Sequence, residues 1–305
     1  MESFRVRHSD PGDERVLLLP LSFGLCSTAL LHVLSQHLKG QSERTGRTGF
    51  KVHGLHVGCG DSRAAASLLE KVRERYPQHV FSSCPLSDVI AVEGVAELFQ
   101  QDLQQTEHDA GNEAALARLI ADLNSPTSRD DIRQILLRKL VVSVAKRHNC
   151  EAVLWGDSTT RLAERTLAET AKGRGASLPW VVADGELLHG VPFYYPMRDL
   201  LSKEITAFTS LVEPPLDDIV AKEPVKPIVS TKNTTIDDLM KQYFESVERE
   251  YPSVVANVVK TSGKLRATPL EEVEQQCELC DVPLDGQAPE RSRLCYGCIR
   301  TLPAG

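Results

Sequence analysis

The stretch "VLLLPLSFGLCSTALLHVL", Val16 to Leu34, decides how the chain folds. An apolar run ends at Ser22, the backbone turns through Gly24, and leucines then resume at helical spacing. Nucleotide-binding α/β domains begin this way: a strand, a small-residue turn, and a helix N-terminus whose backbone N–H groups face a phosphate. Here Phe23 and Cys26 sit inside the turn. Two readings follow, a loop that still holds a nucleotide and a strand–helix turn that holds nothing.

Outward from this segment the same alternation repeats. "RVLLLPL" (15–21) predicts the first strand and Ser27–Leu38 a helix, followed by the polar loop 39–49. "FKVHGLHVG" (50–58) predicts a second strand, Ala64–Arg75 a helix, and "QHVFSSCPL" (78–86) a third strand. Residues 88–124 read as two helical pieces broken near "HDAGNEA". In "SPTSRDDIRQILLRKLVVSVAKRHN" (125–149), Ser128 and Asp131 have the spacing of a capping box, and Ile132, Leu136, Leu140 and Val144 form an apolar stripe. "CEAVLWGD" (150–157) is a further strand, and 158–175 a helix with a Ser/Thr start and a glycine stop. Strands separated by helices predict a parallel sheet covered on both faces. Pro214, Pro215, Pro224 and Pro227 mark a linker, and 234–252 reads as an amphipathic helix. The expected organisation is an α/β domain over 1–213, a linker and helical extension over 214–268, and a small cysteine segment over 269–305.

The chain has 305 residues, 41% of them hydrophobic and 25% charged, which suits a globular protein with a sizeable core. No apolar run reaches the roughly 18 residues a membrane span needs. The polar start "MESFRVRHSDPGDERV" is unlike a secretory signal, so a cytosolic location is expected. A net charge of −7 and 5% aromatic residues argue against a stand-alone nucleic-acid binder, whose affinity rests on basic excess and stacking.

Four of the eight cysteines, Cys26, Cys59, Cys84 and Cys150, are scattered; the other four follow C-x2-C-x14-C-x2-C as Cys277, Cys280, Cys295 and Cys298. Each knuckle, "CELC" and "CYGC", can place two thiolates on one side of a tight turn, and two knuckles complete a tetrahedron for Zn²⁺. An iron–sulfur site or redox-active thiols are the alternatives. Four protein ligands leave no open position for catalysis, so a structural role is expected, with metal ligation supplying much of the segment's folding energy.

Several motifs resemble the PP-loop ATP pyrophosphatases. In "LSFGLCS", Ser22, Gly24 and Ser27 match the S-G-G-x-D-S loop of that family, while Phe23 replaces a glycine and Cys26 the aspartate. A neutral thiol is a poor substitute for a hard oxygen ligand to Mg²⁺, so ATP binding is doubtful. "WGDSTTRLAE" (155–164) occupies the place of the G-H-N-x-x-D-x-A-E turn, keeping Gly156, Ala163 and Glu164. "SPTSRDDIR" lies where tRNA-thiolating members carry C-x-x-C-G-x-x-R-R, so Ser125 and Ser128 stand in for both cysteines. "YYPMRDLLSKEI" (194–205) lies where they carry C-x-P, so Tyr194 stands in for the second catalytic cysteine. A hydroxyl cannot replace a thiolate that must form a persulfide or disulfide.

"GDSTTRLAE", "GRGASLPW", "PMRDLLSKE" and the terminal "CELC" and "CYGC" together resemble the cytoplasmic tRNA 2-thiolation protein 2 family. The resemblance implies a Rossmann-like PP-loop fold and no catalytic residues. It implies a heterodimer with a catalytic PP-loop paralogue, and a role in 2-thiolating the wobble uridine of tRNAs for Lys, Glu and Gln. The sulfur would come from a thiocarboxylated ubiquitin-like carrier. Members typically carry N-terminal cysteine pairs ahead of a K-F-R segment, which the start "ESFRVR" lacks here, so the resemblance leads one to expect that Cys277, Cys280, Cys295 and Cys298 form a site by themselves. The other reading of the same residues is an autonomous ATP-dependent tRNA sulfurtransferase using Cys26, Cys59, Cys84 or Cys150. A general zinc-containing interaction module is a third.

Positive charge is concentrated on two predicted helices. Arg129, Arg133, Arg138, Lys139, Lys146 and Arg147 lie on the first, and Arg161, Arg165, Lys172 and Arg174 on the second. They are candidate tRNA-phosphate contacts, as are Arg291, Arg293 and Arg300; the alternative is a solvated helix face.

Overall fold

A computed structural model describes residues 4, 15–59, 63–99, 111–221, 233–284 and 292–302. It divides into two compact units, each assembled from separate stretches of chain. The first comprises Met1–Cys84, Val144–Thr159 and Asp184–Val225; the second comprises Pro85–Ser143, Thr160–Ala183 and Lys226–Gly305.

The first unit is built on a five-stranded sheet of β1 (Val16–Pro20), β2 (Lys51–Gly58), β3 (Val80–Pro85), β4 (Ala152–Leu154) and β5 (Phe193–Tyr194), ordered β3-β2-β1-β4-β5. Strand β1 runs parallel to both neighbours, Leu17 pairing with Val52 on one side and Ala152 on the other. Strand β4 pairs parallel with β5 through Val153 and Phe193. Leu17, Leu18 and Leu19 are wholly buried. A central parallel strand covered on both faces has no polar side, which is why "VLLL" shows no alternation.

Helix α1 (Leu25–Thr45) follows β1 and α2 (Arg63–Arg75) follows β2. The expected end of α1 at Leu38 is too early. The polar stretch 39–45 contains Lys, Gln, Glu and Arg, all good helix formers, and the helix stops only where Gly46 adopts the left-handed conformation, φ 70°. Part of the proline-marked stretch packs in this unit: Val212, Leu216 and Ile219 are buried with the core side chains. The Arg75 guanidinium donates to the carbonyls of Pro214 and Pro215, and Lys71 Nζ donates to the Asp218 carbonyl at 3.2 Å. Pro224 and Pro227 lie outside the described residues.

The second unit is mainly helical. Its larger helices are α3 (Asn112–Ala121), α4 (Pro126–Arg147, whose last residues belong to the first unit), and α5 (Thr159–Ala171). Helix α6 (Ser202–Leu211) returns to the first unit, and α7 (Ile236–Glu250), α8 (Pro252–Ser262) and α9 (Tyr296–Thr301) complete the second. Of the break expected near "HDAGNEA", residues 108–110 lie outside the described residues, and α3 starts at Asn112 just after them. Helix α4 starts earlier than the Ser128–Asp131 box suggests. Ser125 Oγ accepts the Ser128 N–H at 3.0 Å and Pro126 is the first helical residue, a position where a missing N–H costs nothing. Helix α7 is capped by Thr235, which accepts from the Asp238 N–H at 3.0 Å.

Candidate functional site

In the loop between β1 and α1, the Ser22 and Ser27 hydroxyls bond within the loop itself. Phe23 has φ 58°, the left-handed region that favours glycine, at the position where the loop pattern has glycine. That conformation costs a non-glycine residue roughly 1–2 kcal/mol. The ring offsets it: Phe23 is 1% exposed and stacks on His56 with centroids 4.6 Å apart. His56 Nδ1 in turn donates to the Leu21 carbonyl at 2.8 Å, and the Ala221 N–H donates to the Phe23 carbonyl at 2.8 Å.

The remaining loop residues turn inward. Ser22 Oγ accepts the Gly24 N–H at 3.2 Å and lies 3.1 Å from Ser27 Oγ, which donates to the Gly24 carbonyl at 3.1 Å. A side chain on Gly156 would stand 2.8 Å from Ser27 Cα and 3.0 Å from its nitrogen, so the turn after β4 rests directly on the start of α1. Ser158 and Thr159 of that turn bond to Ser202 Oγ at 2.9 Å and to the Arg198 carbonyl at 2.6 Å. Within the loop itself the acid position is taken by Cys26, and the turn after β4 carries one carboxylate, Asp157.

The positions matching the thiolating cysteines have structural work of their own. Ser125 Oγ donates to Ser128 Oγ at 2.9 Å within the α4 cap, and Tyr194 lies in β5 with its ring 5.7 Å from that of Phe4. Among the other cysteines, Cys150 is buried and burial pushes its thiol up to about 11; Cys59 is exposed, and Cys26 and Cys84 are half-buried.

Cys277, Cys280, Cys295 and Cys298 converge in the second unit. All four are buried, and their sulfurs lie within 4.8 Å of one another. The local chain explains this. The Cys277 carbonyl accepts the Asp281 N–H at 2.8 Å, and Asp281 turns at φ 61° so that Val282 can return a carbonyl to the Cys277 N–H. Cys295 caps α9, whose first turn carries Cys298. Cys280 and Cys295 sulfurs are 3.7 Å apart. A tetrahedron of thiolates about 2.3 Å from a single ion has edges of about 3.8 Å, so the four sulfurs fit one metal ion. Hydrogen bonding from Cys280 holds the Cys277 thiol well below the ordinary range, and the same pairing raises Cys280; in a centre of this kind bound metal takes the place of the shared protons.

A buried ionic network lies beside the cysteines. Asp131 accepts from the Arg174 guanidinium, from Lys172 Nζ at 3.1 Å and from Thr301 Oγ1 at 2.6 Å. Glu169 accepts from Arg174 Nε at 2.6 Å and Lys172 at 2.9 Å. Burial would raise the Glu169 carboxyl, but the Arg174 and Lys172 charges outweigh it and hold it down at about 2. Burial likewise works against charge on Lys172 and Arg174, yet Glu169 and Asp131 keep both raised. Lys139 donates to Asp281 at 2.5 Å, joining α4 to the first knuckle.

The candidate phosphate strip therefore divides. Lys172 and Arg174 are buried among carboxylates, 7% and 5% exposed, and present no face to RNA. Lys139 is taken up by Asp281. Arg133 is exposed on α4 and Arg161 on α5, the latter paired with Glu164 at 3.2 Å; Arg129, Arg138 and Arg165 are half-buried. Arg293 pairs with Glu278, Arg300 lies over the Tyr296 ring, and Arg291 lies outside the described residues. Asp131 read only as part of a helix cap and Thr301 gave no signal, because the partners that Asp131 holds are 43 and 170 positions away.

A parallel α/β fold with a small-residue turn after its first strand and four converging cysteines that could hold a metal defines the class of protein. Within it, the profile of the cytoplasmic tRNA 2-thiolation protein 2 family matches residues 235–293. Over 99% of its length the chain is 44% identical to cytoplasmic tRNA 2-thiolation protein 2 of Phaeosphaeria nodorum, covering 85% of that protein. It is 41% identical to the namesake from Pyrenophora tritici-repentis, again over 99% of this chain and 86% of the other. The chain belongs to this family. Among solved structures, the U34-tRNA thiolase NcsA from Methanococcus maripaludis, which carries a 4Fe–4S cluster, aligns with a TM-score of 0.56 at 13% identity, over 94% of this chain and 80% of that one. That likeness is one of fold. No helix among the described residues is long and apolar enough to cross a membrane.

Proposed function

We propose that the chain is the non-catalytic subunit of a cytoplasmic tRNA-thiolating complex. It supports 2-thiolation of the wobble uridine in tRNAs for Lys, Glu and Gln by a catalytic PP-loop paralogue, with which it forms a heterodimer. The sulfur comes from a thiocarboxylated ubiquitin-like carrier acting on the complex, not on this chain. One observation carries the reading: the loop hydroxyls Ser22 and Ser27 bond to each other and to Gly24, in a turn whose glycine and acid positions hold Phe23 and Cys26. The places of the sulfur-carrying cysteines are likewise occupied by a helix cap, Ser125 and Ser128, and by Tyr194.

The four-cysteine centre holds Zn²⁺ as a structural ion. Its sulfurs are spaced for one ion, whereas a four-iron cubane spreads its thiolates over separate iron atoms. Bound Zn²⁺ supplies folding energy to the terminal segment and no open ligand position. Arg133 and Arg161, with Arg129, Arg138 and Arg165 beside them on the same helices, give the chain its tRNA-phosphate contacts within the complex.

The test is tRNA thiolation with ATP, Mg²⁺ and a sulfur donor by the purified chain, alone and then with the paralogue. Product is expected only with both proteins. Appreciable thiolation by the isolated chain, lost on replacing Cys59 or Cys26 by Ser, would instead establish an autonomous sulfurtransferase. Reversing the charge of Arg133 and Arg161 together is expected to weaken tRNA binding by the complex and flatten its salt dependence.

A further inference from the structure

Arg174 does more than close an ionic network. Its Nη1 lies 4.0 Å from Cys298 Sγ, within the range of a hydrogen bond to sulfur. Its side chain also lies across the second knuckle: a Cβ added to Gly297 would collide with Arg174 Cγ and stand 3.0 Å from Nη1. The contact is reciprocal. Gly173, at φ 86°, faces the Tyr296 ring, and a Cβ there would stand 2.7 Å from it. Thus "Gly173-Arg174" and "Tyr296-Gly297" interlock, each glycine making room for the other pair's large side chain. The glycine that reads as a helix stop in the sequence is also half of a docking surface for the metal knuckle.

Charge gives this contact a consequence. Four thiolates around a divalent ion carry a net charge of −2 in a buried site, which is costly without hydrogen bonds or counter-charge. Arg174 is 4% exposed in its side chain and is aimed by two carboxylates, Asp131 and Glu169, which hold its other nitrogens. A guanidinium fixed in this way offers a planar set of donors that a lysine cannot reproduce. Thr301, on the helix that carries Cys298, closes the arrangement by donating to Asp131 at 2.6 Å.

We propose that Arg174 is a positioning residue of the metal centre: it donates to the metal-bound Cys298 thiolate, lowers the electron density on that sulfur, and sets how tightly the centre retains its ion. The inference rests on the four cysteines holding one metal, and it goes beyond that assignment by naming a residue outside the cysteine segment on which retention depends. Partners that hydrogen-bond metal ligands are commonly worth 10- to 100-fold in affinity.

The probe is Co²⁺ bound to the full-length chain, read by its thiolate-to-metal charge-transfer band, together with Zn²⁺ transfer to a chromophoric chelator. Wild-type protein is expected to take up one equivalent of Co²⁺; uptake of less would remove the metal assignment and the proposal with it. In Arg174→Lys the band is expected to move to longer wavelength, because a sulfur that loses a hydrogen bond gives up its electrons more easily. Zn²⁺ retention against the chelator is expected to fall by about tenfold to a hundredfold. Gly297→Ala keeps every ligand and every charge while pushing Arg174 off the knuckle, and is expected to shift both readouts in the same direction. A folded Arg174→Lys protein with the wild-type band and retention would overturn the proposal. If that variant does not fold, unchanged band and retention in Gly297→Ala would overturn it just as firmly.

Discussion

The turn Ser22–Ser27 and the knuckles Cys277–Cys298 are both small-residue sites, and their donor groups are disposed differently. In the first, the backbone path survives while the polar groups have turned on one another, and a buried phenyl ring sits where glycine gave freedom. In the second, all four donors survive, face one another, and are braced from outside by Arg174, Lys139 and their carboxylates. A loop can hold its shape without any ligand when core packing supports it. A thiolate tetrahedron has no such substitute, since without its ion it is a cluster of repelling charges or shared protons. Shape is thus weak evidence of retained chemistry in the first region, and donor convergence is strong evidence in the second.

The largest expected effect separates the two regions outright. Stripping metal with a strong chelator is expected to cost the terminal segment on the order of 10 kcal/mol of binding free energy. Hydrogen exchange should then rise over 277–301 while α1 and β1 keep their protection; uniform loss of protection would remove the distinction. Replacing Asp131 by Asn comes next. It leaves Arg174 and Lys172 short of a buried counter-charge, and a loss of about 3–5 kcal/mol is expected in urea unfolding. The same network predicts acid sensitivity. Glu169, at about 2 in the folded protein against an ordinary 4.5, contributes stability above the ordinary carboxylate range that disappears as pH falls from about 4.5 toward 2.

Phe23→Gly sharpens the other side. Lost ring burial of about 3 kcal/mol, offset by about 1 kcal/mol of relieved backbone strain, leaves a net loss near 2 kcal/mol. ATP affinity is not expected to appear with it, because Cys26 still lacks the acid's oxygen. The smallest effect concerns Glu164, which burial raises to about 6 against the pull of Arg161. A carboxyl raised in the folded state destabilises above that value, so Glu164→Gln is expected to gain up to about 2 kcal/mol at pH 8 and little at pH 4. Thermal unfolding at the two pH values checks the sign.

Much of this was legible in the sequence because it is local. The β1–turn–α1 unit, the amphipathic helix at 234–252 and the C-x2-C spacing each depend on neighbours a few residues apart, and the structure places them as read. The end of α1 was missed because polarity was read as loop, when solvent-facing helix turns are polar too. The interlock of Gly173–Arg174 with Tyr296–Gly297 was illegible for a different reason. Its two halves are more than 120 positions apart, and charged residues on a helix end ordinarily face water. Lys172 and Arg174 were therefore read as phosphate contacts or solvated charges, whereas both are buried beside carboxylate partners next to the four cysteines.

Equilibrium titration of ATP with Mg²⁺ into the metal-loaded, isolated chain asks most directly whether the loop has left nucleotide chemistry. No saturable binding is expected up to about 1 mM, the upper end of ordinary substrate affinities. Saturation at micromolar ATP, abolished by Ser27→Ala, would contradict the account.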